Sequence, residues 1–159
     1  MGSALYLYNS LLKYLGDGTI NLETDTIKLA LVTSDYVPDL THDVLADVLA
    51  SPSPEVVAVA SPNNGYTAGG KALASQTFTL ADSPAKSTFD AANLTWTALT
   101  ATFRYGILYA EKTVGSPSVV NPLIAYILFD DSPADIVVSG VDWLVQWDAA
   151  GIFDAAKAA

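Results

Sequence analysis

Between Phe89 and Phe153 the chain carries a set of strand-like runs, and their period-two alternation constrains the fold more than any other feature. Leu94-Thr95-Trp96-Thr97-Ala98-Leu99 alternates apolar and hydroxyl side chains. The run from Phe103 to Tyr109 sets Phe103, Tyr105, Ile107 and Tyr109 on one face, because successive strand side chains point to opposite sides. Val141, Trp143, Val145 and Trp147 share a face in a later run, with Asp142 and Gln146 opposite. Leu123 to Phe129 is apolar throughout, the pattern of a strand covered on both faces. β-Branched and aromatic residues fill these runs, and Gly, Pro, Asp and Ser separate them. The reading is mainly β: a single-domain antiparallel β-sandwich or jelly-roll-like barrel, with a short N-terminal helix and one further short helix.

The flanking segments follow other periods. Ala4 to Leu15 places Leu5, Tyr8, Leu11, Leu12 and Leu15 three and four apart, which predicts an amphipathic helix ended by Gly16 and Gly18. Such a helix either packs on the sheet or serves as an arm on a neighbouring subunit. Ile27 to Thr33 reads as a strand with an almost continuous apolar run. Thr41 is a good N-cap for a helix through Leu49, stopped by Ser51-Pro52-Ser53-Pro54. Glu55 to Ala60 is a candidate edge strand, and Ala72 to Leu80 is a further strand. With no internal repeat and no dividing linker, residues 1–159 read as one domain. Its expected parts are a helix or arm over 1–18, a β core over 19–153 and a flexible tail over 154–159.

Charge and composition exclude whole classes of function. The formal charge is −10, from 17 acidic and 7 basic residues, and the basic ones are scattered. Phosphate backbones need clustered Lys and Arg, so nucleic acid is excluded as a direct partner. Zero cysteines remove disulfides, thiolate catalysis and Cys-based zinc sites. The hydrophobic share is 51%, with a mean hydropathy of +0.33. No run reaches the roughly 18 apolar residues of a membrane span. The apolar excess is therefore assigned to a core plus an interface with other protein chains. No signal peptide is expected, and Tyr6 stands where N-myristoylation needs Ser or Thr.

The motifs that carry chemistry fail on spacing. His42 is the sole histidine. Asp39, His42, Asp43 and Asp47 lie close together, but acidic residues on the first turn and solvated face of a helix account for them. The stretch opening Asp17-Gly18-Thr19 has Leu22 where a calcium loop needs glycine, and Lys28 where it needs glutamate. Gly69-Gly70-Lys71 lacks the earlier glycine of a phosphate loop and is followed by Ala72. Asp130-Asp131-Ser132-Pro133 has the chemistry of a strand-ending turn. Trp143 beside Asp142 is the one pair that suggests a glycan contact, against core packing as the plainer account. Arg104, the only arginine, sits among aromatics in a strand. It either stacks or pairs locally, or anchors a subunit contact. No catalytic residue, metal or cofactor is expected.

A series of motifs in fixed order carries a resemblance. Tyr8-Asn9 precedes the apolar helix, then come Gly16-Asp17-Gly18 and Asp25-Thr26-Ile27-Lys28-Leu29-Ala30-Leu31-Val32. Gly65-Tyr66-Thr67-Ala68-Gly69-Gly70-Lys71 and Phe89-Asp90-Ala91-Ala92-Asn93-Leu94-Thr95-Trp96 follow. Arg104-Tyr105-Gly106-Ile107-Leu108-Tyr109, Pro122-Leu123-Ile124-Ala125-Tyr126 and Gln146-Trp147-Asp148-Ala149-Ala150-Gly151-Ile152-Phe153 complete the series. Over nearly the whole chain this resembles a family of small, acidic, β-rich virion proteins of tailed bacteriophages. The resemblance implies a non-enzymatic structural part, above all a capsid decoration (cement) protein. It would be made in the host bacterial cytoplasm and placed on the capsid surface. Its implied partners are the major capsid protein and copies of itself, often as trimers. A tail or neck component that binds another virion protein or a host glycan is the alternative. The residues expected at the contact are Tyr8, Leu11 and Leu12 on the helix, with Arg104, Tyr105 and Tyr109 on the aromatic edge.

Overall fold

The computed structural model describes residues 3–50, 52–59, 63–81, 86–132 and 134–156. The first half contains β1 (Ala4–Leu7), α1 (Leu11–Gly16), β2 (Ile27–Val32), α2 (Leu45–Val48), β3 (Lys71–Ala72), β4 (Thr77–Ala81) and β5 (Lys86–Asp90). The second half adds β6 (Leu94–Phe103), β7 (Tyr105–Ala110), β8 (Thr113–Val114) and β9 (Val119–Val120). Then come β10 (Leu123–Leu128), β11 (Ile136–Val145) and β12 (Phe153–Ala156). All strand pairings among them are antiparallel. Among the described residues no sheet closes into a barrel, which is consistent with the sandwich of the expected pair. No helix among the described residues is long and apolar enough to cross a membrane.

The sheet β1-β10-β7-β2-β3 organises the packing, because period-two alternation gives it two apolar faces. One face turns Leu29, Leu31, Leu108, Ile124 and Ile127 into the main core. There they meet Trp96, Leu99, Phe103 and Val138 from the β6–β11 ribbon, and Phe89 and Phe153 from the sheet β12-β5-β4. The other face turns Ala30, Val32, Ile107, Tyr109 and Leu123 toward a second cluster with Tyr8, Tyr36, Leu45 and Val48. The segment 33–50 is thus a cover over half of that second face. Double coverage explains why β10 reads as an unbroken apolar run and β2, apart from Lys28, as nearly one.

Several expected elements differ, each for a local reason. The segment Ala4–Leu15 is not one helix. Its start pairs with β10 in the register Tyr6↔Tyr126, and the helix runs only from Leu11 to Gly16. Leu5 and Leu7 face the main core while Tyr8 enters the second cluster, so a strand period hid beneath a helical one. The second helix starts at Leu45, not after Thr41. Asp47 takes the capping part, its carboxylate accepting the N–H groups of Asp43 at 3.0 Å and Val44 at 3.1 Å. Thr41 instead donates its backbone N–H and its hydroxyl to Asp39 Oδ1, at 2.8 and 2.7 Å. The Ala72–Leu80 run breaks into β3 and β4 around Ser75, whose φ is 54°. Glu55 makes a single bridge to Val32 rather than opening a strand. Asp154 to Ala156 form β12 on β5, so that part of the expected tail is paired. Ser51, Ala60, Pro133 and residues 157–159 lie outside the described residues.

Candidate interaction surface

Three of the six expected contact residues are interior. Leu11 is 0% exposed in the main core. Tyr8, 1% exposed, shares a 2.8 Å hydrogen bond between its hydroxyl and that of Tyr36. Burial, and next that hydrogen bond, push the Tyr8 phenol far above its ordinary range. Tyr109 is buried and donates its hydroxyl to the Gly69 carbonyl at 2.7 Å. A side chain that has no surface cannot supply a contact, so these three hold the fold. Leu12, by contrast, is 69% exposed. Leu12→Asp is therefore expected to leave stability within about 0.5 kcal/mol of the parent. Urea denaturation checks this, and a larger loss would mean that Leu12 is packed.

Arg104 and Tyr105 stay at the surface, and the backbone between β6 and β7 explains where they point. The chain turns at Arg104, whose N–H donates to Val32 O at 2.9 Å. That turn reverses the alternation. Phe103 joins the main core, while Tyr105, Ile107 and Tyr109 face the second cluster, so Phe103 does not share their face. The Arg104 guanidinium donates through Nε to Asp135 Oδ1 at 2.8 Å, both side chains being partly exposed. It has a local partner.

Tyr105 belongs to a shelf of aromatic rings on the half of the second face that segment 33–50 leaves open. Tyr6 and Tyr126 stack with centroids 4.8 Å apart and planes 17° apart. Tyr105 sits edge-on to Tyr126 at 6.2 Å and to Tyr36 at 5.7 Å. Tyr6 is 42% exposed, and Tyr105 and Tyr126 are half-buried. Carboxylates lie next in sequence to parts of the shelf. Asp35 flanks Tyr36, and Asp130 and Asp131 follow the end of β10. Asp130 is held below the usual carboxylate range by the hydroxyl and N–H of Ser132. Tyr6 and Tyr126 were absent from the expected contact set. The cue for them was Tyr6 and Tyr8 alternating with Leu5 and Leu7, masked by the helical spacing.

The charges are distributed unevenly. Lys13, Lys28, Lys86, Arg104 and Lys112 each pair with an acidic side chain, and Lys71 donates to Thr95 O at 2.6 Å. Asp35, Asp39, Asp43, Asp47, Asp130 and Asp131 have no lysine or arginine partner among the described residues. The acidic group at 39–47 is spent locally on the Asp39 turn and the Asp47 cap.

Asp142 and Trp143 are not brought together as a sugar-binding pair. The Trp143 ring packs against Phe103 at 4.7 Å and Phe129 at 4.9 Å. Asp142 accepts the N–H of Ala98 at 2.9 Å on the other side of the ribbon. Beside Trp143 runs an open groove of about 630 Å³ between β1 and the end of β11, with Leu5, Ile127, Phe129 and Trp147 in its walls. The Trp147 indole N–H is already donated to Ala92 O at 3.1 Å. No protein-family model, curated protein or solved structure matches the chain.

Proposed function

We propose that this chain is a non-enzymatic structural protein of a tailed-phage virion, a decoration protein that binds the major capsid protein lattice. Its seat would be the capsid surface. The observation that carries the reading is the open tyrosine shelf of Tyr6, Tyr105 and Tyr126 on a chain of net charge −10. Tyrosine rings give large contact area at low entropic cost, and they concentrate binding energy at protein interfaces. The net charge of −10 favours a partner that presents Lys or Arg, which can also stack on the rings. The ordered motifs shared with the virion family point the same way. Many copies on one lattice can act through weak single contacts, because neighbouring sites multiply them.

The test is co-sedimentation of the purified chain with capsids that lack it. Saturation at a simple fraction of the major capsid subunit count is the expected result. Saturation at a handful of copies would move the protein to the neck or tail. No binding at all would remove the virion reading and leave glycan and host-surface assays as the next step. Within the expected outcome, Tyr6→Ser should weaken capsid binding by about tenfold, the ~1.4 kcal/mol scale of an aromatic contact residue. Unchanged binding would take the shelf out of the contact.

A further inference from the structure

We infer that the Asn64–Gly65 peptide is a site of spontaneous covalent modification that the native fold holds shut. In the folded chain the Asn64 carboxamide is kept from reacting. In an unfolded chain it converts to aspartate or isoaspartate, and the converted chain no longer regains full native stability. The inference does not depend on the virion reading.

The chemistry is that of an asparagine followed by a residue without a side chain. The Gly65 backbone nitrogen, its proton lost to hydroxide, attacks Asn64 Cγ. The bond from Cγ to Nδ2 breaks, ammonia leaves, and a cyclic imide remains. Water then opens the ring. Cleavage between Cγ and the Gly65 nitrogen yields aspartate, while cleavage at the former Asn64 carbonyl carbon yields isoaspartate, whose main chain runs through Cγ. The net change is one water consumed and one ammonia released, with no oxidation. A side chain on the following residue hinders the attack, and proline has no N–H to give up. Asn9, Asn21, Asn63 and Asn93 precede Ser10, Leu22, Asn64 and Leu94, and Asn121 precedes Pro122. Asn64 alone precedes glycine.

The fold itself demands this pair. Gly65 has φ +76°, and a Cβ there would stand 2.5 Å from the Thr97 carbonyl oxygen and 2.8 Å from that of Ala98. β6 therefore leaves no room for a side chain at this position. Asn64 has to donate and accept at once. Its Nδ2 donates to Val57 O at 2.8 Å, and its Oδ1 accepts the Val59 N–H at 3.0 Å. A carboxylate could accept there but not donate.

The same bonds are the protection. Ring closure must turn the carboxamide until Cγ meets the Gly65 nitrogen, which breaks its hold on Val57 and Val59 and a longer contact from the Tyr66 N–H at 3.4 Å. The attacking nitrogen is itself engaged, its N–H donated to Asn63 Oδ1 at 2.9 Å. The Asn64 carbonyl accepts the Thr100 N–H at 2.8 Å, which fixes the peptide that has to rotate. Conversion therefore waits on local opening. Afterwards aspartate turns a carboxylate oxygen toward the Val57 carbonyl in place of a donor. Isoaspartate adds a methylene to a main chain already pressed against β6.

Peptide mapping by mass spectrometry, with aspartate and isoaspartate separated by chromatography, tests this on the full chain. The chain is aged at one mildly alkaline pH with and without guanidinium chloride. Asn64 should convert at least about tenfold more slowly in the folded chain, which corresponds to an opening free energy of about 1.4 kcal/mol or more. In denaturant it should convert ahead of every other asparagine. Chain aged in denaturant and then refolded should melt at least about 3 °C below chain exposed only briefly. Asn64→Asp, which carries one product from the start, should show a similar fall. Asn64→Gln, whose longer side chain cyclises far more slowly, should melt alike before and after ageing. Equal conversion rates in folded and unfolded chain overturn the inference. So does an Asn64 that outlasts the other asparagines in denaturant, or an Asn64→Asp chain that melts like the parent. An aged Asn64→Gln chain that loses as much as the aged parent overturns it too, because the damage then lies at another residue.

Discussion

Gly70→Ala is expected to lower stability by about 2–5 kcal/mol, from two additive costs. Gly70 has φ +76°, the left-handed region, where an L-residue costs roughly 1–2 kcal/mol. The added Cβ would also drive into the backbone of β2, overlapping the Leu29 carbonyl and standing 2.6 Å from Ala30 Cα. Leu29 and Ala30 are both fully buried in the central sheet, so the strand cannot step aside. Forcing atoms into such a site typically costs a further 1–3 kcal/mol. Against a total stability of order 10 kcal/mol for a domain this size, the loss is large. It should show as a fall in Tm of about 5–20 °C by calorimetry. Gly16→Ala is the control, since its Cβ meets nothing within 4 Å and its φ is ordinary. A Gly70→Ala melt within about 2 °C of the parent would mean that segment 65–72 lies farther from β2 than this packing requires.

Gly70 also shows which features of the fold are written in local sequence. Apolar runs announced β2 and β10, because strands buried on both faces leave few polar positions to confuse the period. The places that misled are those where a single residue resets the period. Arg104 turns the chain and puts Phe103 and Tyr105 on opposite sides of the central sheet. Gly140 and Ala98 each insert a residue into the ribbon, and Val141, though paired with the buried Leu99, stays 58% exposed while Trp143 and Val145 are covered. No alternation rule locates such insertions, because the bonds that hold them, Asp142 to Ala98 and Thr100 Oγ1 to the Gly140 N–H, span more than forty residues or forty residues. β1 was missed for a similar reason. A short segment commits to a strand when β10 offers it an edge, and its own helical spacing does not outweigh that pairing. The candidate surface inherits these errors. Tyr8, Leu11 and Tyr109 were legible as apolar positions, but whether a position is core or contact depends on what covers it.

Tyr66→Phe is expected to cost about 2–4 kcal/mol, more than one hydroxyl usually carries, because that oxygen closes the open side of β2. β3 pairs with β2 only at Lys28 and Leu29; farther along, the Leu31 carbonyl accepts the Val56 N–H at 2.9 Å, while the Leu31 N–H is served by a side chain. Leu31 lies there, fully buried, and its N–H donates to the Tyr66 hydroxyl oxygen at 3.1 Å. The same hydroxyl donates to Glu55 Oε1 at 2.8 Å, which also accepts the Gly69 N–H. Gly69 in turn accepts the Tyr109 hydroxyl on its carbonyl. One phenol therefore joins an irregular segment to the strand through a carboxylate. Burial first, and then the negative charge of Glu55, push the Tyr66 phenol well above its ordinary value, which keeps it a donor. Removing the oxygen leaves a buried N–H without a partner, about 1–3 kcal/mol, and ends a bond to a charged group. Tyr109→Phe removes a single donor to a carbonyl and should cost about 1 kcal/mol. Glu55→Gln keeps one acceptor oxygen, so its effect combined with Tyr66→Phe should fall short of the sum of the two by at least 0.5 kcal/mol. Urea denaturation of the four chains reads this coupling directly. Strict additivity, or a Tyr66→Phe loss below about 0.5 kcal/mol, would show that water serves Leu31 as well as the phenol does, and that the Val56 N–H to Leu31 bond and packing suffice to hold residues 55–69 against β2.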